Sequence, residues 1–98
     1  MKYNELLEII KIGEGYTSEF KEGLNDTISK DMCAFANSSG GKIILGINDK
    51  TNKIKGFKLT NAIKSKIQNY ARNIEPSLPV QIKQVKNLAV IYVCLLYT

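Results

Sequence analysis

Stretches of helical period alternate along this chain with stretches of two-residue period, in the order helix, strand, helix, two strands, helix, two strands. That order predicts an α/β (α+β) domain, a mixed sheet of about five strands packed with two to three helices. A second sign is the run Lys42–Ile47, whose consecutive apolar residues suit a strand buried on both faces. A third is the glycine pair 40–41, which punctuates the junction between a helical pattern and that strand. With 98 residues, the chain holds one small core and no second domain.

Tyr3, Leu6, Leu7 and Ile10 recur at helical spacing, which predicts a short amphipathic helix over 3–11 that Gly13 and Gly15 break. Thr17–Lys21 reads as a strand with Phe20 facing inward and Glu19 and Lys21 sharing the opposite face. Asn25, Asp26 and Thr27 each suit an N-cap for a helix running to Asn37, with Ile28, Met32, Phe35 and Ala36 as its buried stripe. Ser38–Gly41 is a turn before the strand 42–47. Asn48–Asn52 is turn-rich, so Ile54–Phe57 is expected to return as a hairpin partner. Thr60 caps a further helix that buries Ile63, Ile67, Tyr70, Ala71 and Ile74, and Pro76 and Pro79 end it. Val80–Val85 and Leu88–Leu95 form a last hairpin turning near Lys86-Asn87.

Composition is ordinary for a folded domain, 44% hydrophobic and 23% charged, which argues against wholesale disorder. No stretch approaches the roughly 20 apolar residues of a membrane span. Glu5, Glu8 and Lys11 interrupt the N-terminal apolar residues, so that region is not a signal peptide. A cytoplasmic location is the expectation, and Cys33 and Cys94 are expected as buried free thiols. The net charge of +5 is unevenly spread. Residues 1–31 hold seven acids and four lysines, and residues 32–98 hold ten bases against Asp49 and Glu75. A basic body attracts polyanions by counterion release, and it also simply keeps a protein soluble. The absence of histidine removes the usual general base, a catalytic triad and a typical zinc site.

Gly40-Gly41-Lys42 lacks the lysine–serine/threonine pair of a phosphate loop, because Ile43 stands where the hydroxyl residue would be. The glycines are expected to cap a helix with positive φ. Glu14, Glu19 and Asp49 are a candidate oxygen-ligand set for Mg²⁺ or Mn²⁺ at one edge of the sheet. Each also has a plain structural role open to it. Glu19 can pair with Lys21, Glu14 can be a solvated loop acid, and Asp49 can initiate the turn at 48–52. Lys50, Lys53, Lys55 and Lys58 crowd one hairpin, where they suit either a phosphate backbone or an edge strand guarded against aggregation. Tyr70 and Tyr92 lie in apolar runs and are expected in the core, and Tyr16 is the aromatic placed for base stacking.

Taken together, Glu14, Glu19-Phe20-Lys21, Ala34-Phe35-Ala36-Asn37, Gly40-Gly41, Gly46-Ile47-Asn48-Asp49 and Gly56 resemble the Schlafen-type Alba-like domain. Ile74-Glu75-Pro76 resembles that family as well. The resemblance implies the N-terminal, DNA-binding domain of a longer bacterial or archaeal transcriptional regulator. Its eukaryotic relatives include metal-dependent endoribonucleases, whose acidic triad would fall on Glu14, Glu19 and Asp49.

Three functions are therefore expected in turn. The first is nucleic-acid binding, DNA ahead of RNA, with Lys21, Lys42, Lys50, Lys53, Lys55 and Lys58 on phosphates and Ser38, Ser39, Gly40 and Gly41 as a polar loop. The second is Mg²⁺- or Mn²⁺-dependent RNA cleavage by the three acids. The third is a structural module that self-associates through its C-terminal strand.

Overall fold

The computed structural model describes residues 1–74 and 79–94. Its elements are α1 (Tyr3–Ile12), β1 (Ser18–Lys21), α2 (Ile28–Ala36), β2 (Gly41–Leu45), α3 (Asn61–Arg72), β3 (Val80–Val85) and β4 (Leu88–Val93). The sheet has the order β1-β2-β4-β3. The pair β1–β2 is parallel, with Ser18 opposite Lys42 and Lys21 opposite Leu45. β4 runs antiparallel to both β2 and β3. The expected mixed α/β class is thus observed, with three helices and four strands among the described residues.

Helices cover both faces of the sheet because both faces are apolar. On one side Leu6 and Ile10 of α1 pack with Phe20, Ile44, Leu88 and Val90. On the other, α2 and α3 bury Ile28, Met32, Phe35, Ala36, Ile67 and Ala71 against Ile43, Leu45, Ala89 and Ile91. Alternation along β2 sends Ile44 to the first core and Ile43 and Leu45 to the second. The buried stripe of α2 is the one its spacing predicts. Burial of such side chains stabilises by roughly 1.5–3 kcal/mol each. Thr60 caps α3 as expected, its Oγ1 accepting from the Ile63 N–H at 3.2 Å. At α2, Thr27 holds the N-cap position without a side-chain cap, and the Asn25 Oδ1 accepts from the Thr27 N–H at 3.0 Å.

The segment 54–57 departs from expectation. It makes a single bridge, Ile47 to Ile54, and no strand. The cause is a close backbone crossing at Gly46 (φ 110°) and Gly56 (φ 89°). The Gly46 carbonyl accepts from the N–H groups of both Lys55 and Gly56, at 2.6 and 2.9 Å. From there the chain leaves the ladder and crosses to the β3–β4 turn, where the Phe57 N–H reaches the Asn87 carbonyl at 2.8 Å.

The last strand also differs from expectation. β4 lies inside the sheet and is paired on both sides over Ala89–Val93, so those residues offer no free edge to another chain. The expected strand end at Leu95, the stop at Pro76 and the Glu75-Pro76 part of the family stretch fall outside the described residues. Cys33 is half-buried and Cys94 exposed, so neither is the core thiol expected from its apolar neighbours. Tyr70 and Tyr92 are half-buried at the core margins.

The Gly46 crossing leaves no room for a side chain. A Cβ there would lie 2.9 Å from the Gly56 carbonyl carbon and 3.0 Å from both Leu88 Cδ2 and Phe57 N, whereas one at Gly15 would meet nothing within 4 Å. Gly46→Ala is therefore expected to cost about 2–4 kcal/mol, combining positive-φ strain with overpacking. Gly15→Ala should stay within about 0.5 kcal/mol of wild type. Urea denaturation of the two variants checks the contrast.

Candidate nucleic-acid interface

The parallel pairing of β1 and β2 fixes which residues share an end of the sheet. Lys21 and Leu45 close the two strands at one end, and the β3–β4 turn lies at that same end because Leu45 faces Ala89. The lysine-rich segment 48–59 follows β2 directly, so Lys50, Lys53, Lys55 and Lys58, all exposed, gather here with exposed Lys86. Ser38, Ser39, Gly40, Gly41 and Lys42 lie at the opposite end, together with Thr17. At ~3.3 Å per residue, β2 holds the two groups roughly 13 Å apart. The residues expected to form one binding surface are thus divided between the two ends of a strand.

The lysine segment is held by backbone and amide contacts. The Asn48 Oδ1 accepts from the N–H groups of Lys50 (2.9 Å) and Thr51 (3.0 Å), so Asn48 initiates this turn and Asp49 does not. Asn52 closes it with φ 58°. Farther along, the Gln84 Oε1 accepts from the Leu59 N–H at 2.7 Å. Its Nε2 donates toward the carbonyls of Phe57 (2.9 Å), Lys86 (2.8 Å) and Leu88 (3.0 Å). Gln84 therefore clamps the segment to the β3–β4 turn. The sequence offered one sign of this role: Gln84 has the strand parity of Val80 and Ile82, so a polar group stands on an apolar face.

The glycine turn is occupied with structure. Gly40 has φ 77°, and its N–H donates to the Phe35 carbonyl at 2.7 Å, capping α2 as expected. Gly41 has a different reason: a Cβ there would lie 2.5–2.8 Å from the Phe35 ring. Ser38 Oγ donates to the Phe35 carbonyl at 3.3 Å, and the Lys42 N–H to the Thr17 carbonyl at 2.9 Å. The backbone donors of Gly40 and Lys42 are thus already used. Tyr16, 95% exposed, sits on the turn closed by the Gly15–Ser18 bridge, at this end and away from the lysine segment.

Of the three acids expected to form a set, the structure brings Glu14 and Glu19 together. The Glu14 Oε2 accepts from the Phe20 N–H at 2.8 Å, satisfying a donor on edge strand β1. Glu19 lies beside Glu14, and the third acid near it is Asp31 of α2. Asp49 is elsewhere, in a polar hollow at the far end with Lys21, Glu22, Asn25 and Lys50. Among the described residues, no three His, Cys, Asp or Glu side chains are arranged to hold a metal ion. The donors therefore do not fit the Mg²⁺ or Mn²⁺ that the acids suggested. The physical reason is register, since Glu19 sits opposite Ile43 while Asp49 lies four residues beyond the end of β2.

Lys21 belongs to this acidic cluster. Its Nζ is 2.9 Å from Asp31 Oδ2 and donates to Thr27 Oγ1 at 3.0 Å, with the side chain only 14% exposed. Asp31 Oδ2 is buried, and the contact satisfies it as an ion pair without the alignment of a directed hydrogen bond. Lys21 is thus committed internally, which removes it from the phosphate contacts expected of it. Burial, and after it the charges of Glu14 and Asp31, push the Glu19 carboxyl above its ordinary value, while Lys21 pulls the other way.

Residues 14–98 match the Schlafen, AlbA_2 family. The chain belongs to that family. Its domains are generally associated with nucleic acid. Comparison with curated proteins gives no significant match. Among solved structures, the chain is similar to the DIP2311 protein from Corynebacterium diphtheriae, with a TM-score of 0.57 and 20% sequence identity. The match covers 97% of this chain and 22% of the other, so this chain spans about a fifth of that protein's length. No described helix is long and apolar enough to cross a membrane. Several residues that carry the family resemblance do packing work here. Gly40 caps α2, Gly41 admits the Phe35 ring, Gly46 and Gly56 permit a backbone crossing, and Glu14 satisfies a strand edge.

The raised Glu19 carboxyl has a pH consequence. A carboxyl that binds its proton more tightly when folded loses stability as pH rises from its ordinary value, 4.5, through its folded value. Glu19→Gln is accordingly expected to match or exceed wild-type stability at pH 7, with the gap closing below about pH 4. Thermal melts across that range check the sign.

Proposed function

We propose that this Schlafen AlbA_2 domain is a nucleic-acid-binding module that grips phosphates, DNA ahead of RNA, through the lysine-rich end of its sheet. The observation that carries the reading is the gathering of Lys50, Lys53, Lys55 and Lys58 on one clamped segment. All four are exposed, and the one ion pair among the described residues is Lys21–Asp31, which leaves their charge available to a polyanion. Contacts of this kind bind with little sequence selectivity. Lys86 adds to the same end. Lys42 and the glycine turn serve as a separate, secondary contact. In a longer protein the module would deliver DNA to neighbouring domains, as an N-terminal part of a bacterial or archaeal transcriptional regulator does. The small share of the C. diphtheriae chain that the fold covers is in keeping with that use.

Cleavage by a metal-dependent endoribonuclease draws on the Glu14–Glu19 pair, and the third acid near them, Asp31, is paired with Lys21, so that no trio among the described residues is arranged to hold an ion. Binding is therefore the function the lysine-rich end supports best.

Fluorescence anisotropy with a short labelled duplex tests it. Affinity should fall steeply with salt, and changing all four lysines of the segment to alanine should flatten the log–log salt slope by up to about 3.6, at ~0.9 per phosphate contact. Absence of binding at low ionic strength would remove the reading.

A further inference from the structure

An open cavity of about 440 Å³ lies beside the lysine segment, between it and the β3–β4 turn. Phe57 and Leu59 give it apolar walls, and Lys58, Lys86, Gln84 and Asn87 complete the lining. Its size falls in the roughly 300–1,000 Å³ range of small-ligand pockets. Duplex phosphates have no use for such a hollow, because a phosphate contact needs only an exposed cation. Apolar walls with cations beside them suit a ring that carries a phosphate.

The polar groups sort in the same way. The Gln84 amide is consumed by the Leu59 N–H and by three carbonyls, so it supports the walls and leaves the interior apolar. Lys58 and Lys86 supply the charge. Lys86 holds φ 53°, a left-handed conformation that disfavours a lysine by roughly 1–2 kcal/mol. Its ammonium rests 4.6 Å from the centre of the Tyr3 ring. The two-residue turn between Val85 and Leu88 thus holds Lys86 at the rim of the hollow.

We infer that this cavity takes an unpaired nucleobase of a single strand, stacked or packed against Phe57 and Leu59, while the flanking phosphates meet Lys58 and neighbouring lysines. The inference rests on the nucleic-acid reading above and sharpens it, since it makes single strands or splayed bases the preferred ligand. Base–aromatic contacts of this sort are sequence-tolerant, because every base offers a π-face. The same base-plus-phosphate chemistry is carried by a free mononucleotide, so the two sources must be separated.

Anisotropy at low salt with four ligands does so: an eight-residue thymidine single strand, the same strand made abasic, a duplex of equal length, and thymidine monophosphate as competitor. The expected result is that the single strand binds at least about fivefold more tightly than the abasic strand or the duplex, the scale of one stacked base at roughly 1 kcal/mol or more. The mononucleotide should compete only weakly. Tyr16→Ala should keep the preference, and Phe57→Leu should reduce it with duplex affinity unchanged. Should Phe57→Leu not fold, amide shifts of Phe57–Leu59 and Lys86–Asn87 in the wild-type protein on adding the single strand read the same contact. Equal binding of all three oligonucleotides overturns the cavity proposal while leaving the phosphate reading standing. So does loss of the preference in Tyr16→Ala. Strong competition by the mononucleotide overturns the single-strand assignment, and no binding by any ligand sinks both readings.

Discussion

The backbone crossing at Gly46 holds the lysine-rich end of this domain together. Its N–H donates to the Lys21 carbonyl at 2.7 Å, tying the end of β2 to the end of β1. Its carbonyl takes two donors from Lys55 and Gly56, tying β2 to the lysine segment. Its α-carbon lies against Gly56 and Leu88, bringing that segment onto β4. Only a residue without a Cβ, free to adopt positive φ, does all three. Displacement of this crossing would move the lysines and open the hollow beside Phe57 in one step.

The β1 edge and the segment that follows β2 hold charge in opposite ways. At the β1 edge, Glu14, Glu19 and Asp31 surround a lysine that is already bound, and the excess negative charge shows itself in the raised Glu19 carboxyl. Around the segment that follows β2 the lysines outnumber the acids, and Asn48 holds one of those acids, Glu22, with its Nδ2 2.7 Å from Oε1. A polyanion approaching along the field would be turned toward the lysine segment and away from the β1 edge. Glu14, which looked like a ligand, thus satisfies an edge N–H, and Asp31 anchors α2 to β1.

Much of the fold was legible because its signals are local. The α2 stripe follows the 3.6-residue period, the Thr60 cap sits just ahead of an apolar pattern, and the turn at Lys86-Asn87 separates two apolar runs. Gly40 was readable as a helix cap for the same reason. What failed depends on contacts distant in sequence. Ile54–Phe57 has a strand's composition, but the crossing at Gly46 and Gly56 pulls it off the ladder. The place of β4 inside the sheet follows from pairing order, which no window of sequence contains. Asp49 was grouped with Glu14 and Glu19 by motif, and the β1–β2 register separates them. Asp31, Gln84 and Lys86 went unnoticed because each acts on a partner brought to it by the fold or the turn.

Nucleic acid is proposed to meet this domain at its lysine-rich end. The most direct test is amide chemical-shift mapping of the protein on addition of a short DNA. Shifts should concentrate over 50–59 and 86–87, with Glu14, Glu19 and Asp31 unmoved. Shifts confined to Tyr16 and Ser38–Lys42 would contradict it.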